Sequence, residues 1–179
     1  GINLVNDPES KAQEDESAVF IGRLDEHTGI RMYLDAVREI RKKIPSFRFT
    51  VIGDGKFRKN IAQDILSLGF QRNPEKFFKK SHFAFVSRYL SILESMAAKR
   101  LVFAGFDNPI KEDYLKMTPF FKYMVTFGSA KELRTKVLYF LENNIKTERM
   151  VRKAHQWVKD QSWNRVGELY LRLWGKKLI

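Results

Sequence analysis

Six short apolar runs, each stopped by a glycine or a polar turn, leave few folds open to this chain. They lie at 17–23, 47–52, 65–68, 82–86, 101–104 and 122–127, and they close at Gly22, Gly53-Asp54-Gly55, Gly69, Ser87, Gly105 and Gly128. Runs this apolar, with little polar alternation, suit strands buried on both faces, which is the setting of a parallel sheet. The stretches between them carry helical spacing. Ile30, Tyr33, Leu34, Val37, Ile40 and Ile44 recur at three- and four-residue steps over about 28–43, and Pro45 ends that helix. A short basic helix is expected at 56–62 and another helix at 90–99. Asn73-Pro74 and Asn108-Pro109 each offer an N-cap followed by proline at the first helical position. Strands alternating with helices at this rhythm predict an α/β three-layer sandwich: a mostly parallel six-stranded sheet with helices on both faces.

Three further helical stripes close the chain. They are Leu133, Val137, Phe140 and Leu141; then Met150, Val151, Ala154, Trp157 and Val158; then Trp163, Val166, Leu169, Tyr170 and Leu173. All three are expected to be core. Residues 17–144 are expected to form the sheet domain, and 145–179 a helical extension packed on it or toward a further domain. Residues 1–16 are polar, include Pro8 and Glu14-Asp15-Glu16, and are expected to be a linker or lead-in.

Charge and composition narrow the partners. The 33 basic and 21 acidic residues leave a net charge of +12, which favours anionic ligands or surfaces. Such a surplus is common and non-specific, so no sequence-specific nucleic acid is expected. There is no cysteine, which removes disulfides, thiolate metal sites and a cysteine nucleophile. His27, His82 and His155 have no metal-ligand spacing, and neither a Gly-x-Gly-x-x-Gly nor a Gly-x-x-x-x-Gly-Lys-Ser/Thr motif is present. No apolar run approaches the ~18 residues of a membrane span.

Three turns follow strands and therefore share one edge of a parallel sheet. Gly22-Arg23 opens the first; glycine admits a ligand to the backbone and arginine offers a bidentate grip on phosphate. Gly53-Asp54-Gly55 forms the second and leaves room for a flat ring. The third runs from Ser87 into a helix bearing a lone acid, Glu94, where a carboxylate would accept two vicinal hydroxyls. A helix N-terminus at this position adds partial positive charge.

The ordered motifs Val19-Phe20-Ile21-Gly22-Arg23-Leu24, Phe49-Thr50-Val51-Ile52-Gly53-Asp54-Gly55 and Ile92-Leu93-Glu94-Ser95-Met96-Ala97-Ala98, with a closing Ser162-Trp163, resemble one family. It is the donor-binding domain of the retaining nucleotide-sugar glycosyltransferases that include glycogen synthases and bacterial mannosyltransferases. The resemblance spans 17–173 and implies the C-terminal, Rossmann-like half of a GT-B fold, with a partner N-terminal domain facing it. It implies a cytoplasmic protein, peripheral at most on the inner membrane surface, that transfers a glycosyl group with retention. No metal or other cofactor is implied; the substrate is a nucleoside-diphosphate sugar and the acceptor a saccharide or lipid-linked sugar. By family pattern Gly22, Arg23 and the backbone at Ser91, Ile92 and Leu93 meet the diphosphate. Glu94 holds the ribose, and Gly53, Gly69, Phe70 and Gln71 flank the base. No catalytic residue is assigned. Three positions depart from the pattern: Thr28 replaces a lysine, Val86 stands eight residues before Glu94 where relatives usually carry an acid, and Lys99-Arg100-Leu101 replaces a later Gly-x-Pro. Arg58, Arg72 or Arg88 is the candidate to stand in for the lysine, and the sequence does not choose among them. A catalytically silent module for ligand binding or assembly is the alternative that these departures raise.

Overall fold

A computed structural model describes residues 16–175. The expected lead-in, 1–16, falls outside those residues except for Glu16. The six strands are β1 (Ser17–Ile21), β2 (Arg48–Ile52), β3 (Leu66–Ser67), β4 (Phe83–Phe85), β5 (Leu101–Gly105) and β6 (Val125–Phe127). Every pairing is parallel, and the strand order is β3-β2-β1-β4-β5-β6. The fold is the α/β Rossmann-like sandwich that the sequence predicts. Chain order reverses between β1 and β4, so the carboxyl ends of these two strands flank the crevice where open α/β sheets take ligands.

The strands alternate their side chains between two cores. Phe20, Phe49, Phe83, Phe85, Phe103 and Phe127 point to one face, where α1 (Ile30–Arg41) and α5 (Ala130–Glu142) cover them. Tyr33 sits at the centre, with ring centroids 5.5, 5.2 and 5.2 Å from Phe20, Phe85 and Phe127. Val19, Ala84, Val102 and Ala104 point to the other face. There they meet α3 (Tyr89–Ala97), α4 (Pro109–Lys116) and α6 (Asn144–Val158) through Ile92, Met96, Leu115, Ala154 and Val158. Two full cores explain why apolar runs so short hold their places: the central strands β1, β4 and β5 are buried on both sides, whereas the edge strand β3 leaves Leu66 exposed.

Four expectations need correction. The short helix at 56–62 is a 3-10 turn, Lys56–Asn60. The sixth strand begins at Val125, because Phe121–Tyr123 form a 3-10 turn that uses those backbone bonds. Asn108 caps α4 by accepting from the Lys111 amide, but Asn73 makes no such bond at α2 (Glu75–Phe78), where Pro74 holds the cap position. The third apolar stripe, on α7 (Trp163–Leu173), buries no residue. Trp163, Leu169, Tyr170 and Leu173 are 52%, 48%, 54% and 80% exposed, since α7 leaves the sheet domain.

Candidate functional site

The glycine turns after the first three strands are brought into register. The Gly22 amide donates to the Ile52 carbonyl at 3.0 Å, and the Gly53 amide donates to the Gly69 carbonyl at 2.9 Å. Leu24 in turn donates to Asp54 O at 2.9 Å, so the first two loops run as a pair beyond the sheet. Gly53 is held at φ +135°, a region that side chains rarely enter. Arg58 packs its guanidinium against Gly69 and bonds Asp54 at 3.2 Å. Gln71 closes its turn by donating to Leu68 O at 2.9 Å, and Phe70 beside it is 79% exposed. Gly22, Gly53, Gly69, Phe70 and Gln71 therefore line one continuous strand-end surface.

Arg23 projects from the first loop with its side chain exposed and pairs with Asp25 through Nε at 3.1 Å. Asp25 is largely buried, and its second oxygen, Oδ1, meets no donor among the described residues. Thr28 is buried and its hydroxyl donates to Asp25 O at 2.8 Å, so this position supplies no group to a ligand. The turn between β4 and α3 is tied to the same loop: Ser87 Oγ donates to Thr28 O at 3.3 Å. That turn is only Val86-Ser87-Arg88, and Val86 and Ser87 are both buried.

The helix start needs a correction at Ile92 and Leu93. Because α3 begins at Tyr89, with Arg88 as cap, the Ile92 amide bonds Arg88 O at 2.9 Å and Leu93 continues the helical ladder. Both side chains are core. The amides without an intrahelical acceptor are those of Arg88, Tyr89, Leu90 and Ser91, one turn earlier than expected for two of the three residues. Of the three, Ser91 alone has an amide outside the helical ladder.

Glu94 lies in the second turn of α3, outside the reach of a first-turn dipole effect. It is half-buried and its carboxylate makes no hydrogen bond or ion pair among the described residues. Burial pushes its pKa above the usual glutamate value, and the charge of Glu75 adds to the rise. A partly desolvated acid without a protein donor is open to a hydrogen-bonding partner from outside the chain.

Lys111 was not singled out by sequence. It stands in the first turn of α4 and sends Nζ to the His27 carbonyl at 3.0 Å, across 84 residues of sequence. The signal for it was Asn108-Pro109, which fixes the helix start and so the direction of Lys111. Arg72 is exposed on the far turn, and Arg88 lies close enough to Lys111 to act on its charge. No grouping of three or more histidines and acids that could hold a metal occurs among the described residues. An open groove of about 450 Å³ lined by Lys122, Tyr123, Lys153 and Trp157 lies before β6, at the opposite end of the strands from the crevice.

Comparison with known proteins places this geometry. The pattern of the family Glycosyl transferases group 1 matches residues 5–157. An uncharacterized glycosyltransferase, MJ1059, of Methanocaldococcus jannaschii is 31% identical over 93 residues, covering 44% of this chain and 23% of that protein. The crystal structure of TarM superposes with a TM-score of 0.76 at 18% identity, over 96% of this chain and 37% of that one. A mutant of S. aureus TarM has been crystallised with fondaparinux, α-GlcNAc-glycerol and UDP. The C-terminal domain of LpcC, a group 1 family protein from Francisella tularensis, superposes with a TM-score of 0.71 at 16% identity, over 89% of this chain and 97% of that domain. The chain thus spans about a third of TarM and nearly all of a separately crystallised C-terminal domain. With a family match over most of its length and a parallel sheet ordered 3-2-1-4-5-6 beneath it, the chain belongs to the group 1 glycosyl transferases, in the GT-B fold.

Proposed function

We propose that this chain is the donor-binding domain of a two-domain glycosyltransferase, which binds a nucleoside-diphosphate sugar and transfers the glycosyl group with retention. The observation that carries the reading is Glu94: a half-buried carboxylate without a partner, beside aligned glycine turns at the strand-order switch point. The base lies along Gly53, Gly69, Phe70 and Gln71, and Glu94 accepts the ribose hydroxyls. Arg23 and the open amides at Arg88 to Ser91 face the diphosphate. Fixed cations and amide dipoles stabilise a leaving nucleoside diphosphate without a metal. Domain-level expectations are part of the same proposal. The exposed apolar side of α7 faces an N-terminal domain that supplies the acceptor site, and the surplus of basic residues supports weak contact with the inner membrane surface.

Calorimetry with UDP-, GDP- and ADP-sugars tests this reading. One donor should bind, and Glu94→Ala and Arg23→Ala should weaken it. Absence of binding to all three would end the proposal. The buried Val86-Ser87 turn favours a second reading, a catalytically silent module, because it leaves no place for an acid on that loop. Sugar turnover by the full-length protein with any donor would exclude it.

A further inference from the structure

Three cations from three different elements gather at the first loop. Arg23 comes from the loop itself, Arg88 from the cap of α3 and Lys111 from the first turn of α4. Lys111 is half-buried, yet only one of its three N–H donors is used among the described residues, on a neutral carbonyl, and it makes no ion pair. Burial holds its pKa below the usual lysine value; Asp107 opposes that, Arg88 adds to it and Asp25 opposes it. Arg88 and Lys111 act on each other beside Asp25 and Asp107, Asp25 is already paired with Arg23, and the Lys111 charge lies beside the open amides of α3 without an ion pair among the described residues. Charge of this kind, held in a partly desolvated place, is matched by an anion.

We propose that Lys111 grips the β-phosphate end of the donor diphosphate, supplying from α4 the cation that Thr28 does not supply from the first loop. The inference rests on the donor-site reading above. Strand order gives the direction. The base surface belongs to the turns after β2 and β3, and α4 follows β5, on the other side of the switch point. A ligand laid from the base surface across β1 and β4 brings its terminal phosphate, not its base, to Lys111. Thr28 cannot compete for this role, because its hydroxyl is committed to Asp25 O.

The test is calorimetric titration of the protein with the pairs UDP and UMP, GDP and GMP, and ADP and AMP. Lys111→Gln retains a donor for His27 O and removes the charge. It is expected to weaken the best diphosphate about tenfold while changing the matching monophosphate by less than about twofold. Lys111→Arg should restore most of the loss. Should the Gln variant not fold, Lys111→Met carries the same comparison. Equal loss for both members of a pair would make Lys111 a structural tie between α4 and the first loop, and no loss would remove it from the site; either overturns the inference and leaves the donor site standing. Failure of the wild-type protein to bind any of the six nucleotides would overturn the donor site itself, and Lys111 with it.

Discussion

Gly53 approaches Gly22 so closely that a Cβ on Gly53 would stand 1.8 Å from the Gly22 carbonyl oxygen. The contact joins the two loops that would flank the base and the diphosphate. Nothing flexible separates them: the obstacle is backbone, and the backbone at Gly53 is at φ +135°. Gly53→Ala is therefore expected to destabilise by about 3 kcal/mol or more, from strain and displacement together. Urea denaturation reads the loss. Any variant that still folds should bind nucleotide more weakly, since the loops must part.

The C-terminus of α3 carries the opposite kind of defect. Lys99 sits at φ +58°, with its amide on Met96 O at 3.1 Å and the Arg100 amide on Ser95 O at 3.0 Å. These two bonds form a Schellman motif, whose left-handed residue is best as glycine. Lys99→Gly is expected to stabilise by about 0.5–1 kcal/mol. Thermal denaturation should show a rise of roughly 1–4 °C for a chain of this size. No change would mean that the Lys99 side chain gains as much as its backbone loses.

What the sequence made legible, and what it hid, follows from the range of the interactions concerned. The strands were readable because burial on both faces makes each run apolar on its own, as in Phe83-Ala84-Phe85. The glycine turns were readable because a close approach excludes side chains locally. Position 99 shows the same logic, since the backbone is left-handed at Lys99, where the resemblance leads one to expect the glycine of Gly-x-Pro. The misses depend on distant partners. A dipeptide such as Asn73-Pro74 shows competence to cap, whereas the short helix behind it starts at Glu75 with no cap bond from Asn73. The spacing of Trp163, Leu169, Tyr170 and Leu173 specifies an apolar side but not what covers it. Starting α3 at Tyr89 moves the open amides away from Ile92 and Leu93. Lys111 reaches the first loop only because the fold brings α4 to His27.

Tyr33 gives a stability prediction that reaches the site from below. Its hydroxyl donates to Phe103 O at 3.1 Å and accepts from the Gly105 amide at 3.0 Å, inside the core. Burial pushes the phenol pKa far above its usual value, so the group is neutral at all working pH. Tyr33→Phe keeps the ring contacts and takes the Tyr33 oxygen away from the buried Gly105 amide, while the Phe103 carbonyl keeps the Val86 amide at 3.2 Å. The expected loss is about 1–3 kcal/mol in urea denaturation, with the loop after β5 loosened.

Glu94 links stability to binding through pH. Its pKa in the folded protein lies above the unfolded value, so the folded state holds the proton more tightly. The carboxyl is therefore best tolerated in the folded state below the ordinary glutamate pKa, and its burial opposes folding increasingly as pH rises through the raised value. Glu94→Gln removes that opposition. At pH 7 the variant should melt higher than wild type, and the gap should close as pH falls to about 4, where both side chains are neutral. Nucleotide affinity should move the other way, falling about tenfold or more, because Gln offers one acceptor oxygen where the ionised acid offers two. The pair of measurements separates a ligand-binding acid from a surface acid. A surface acid would leave both melting point and affinity unchanged, whereas an acid kept for its ligand gains stability and loses binding in the same substitution.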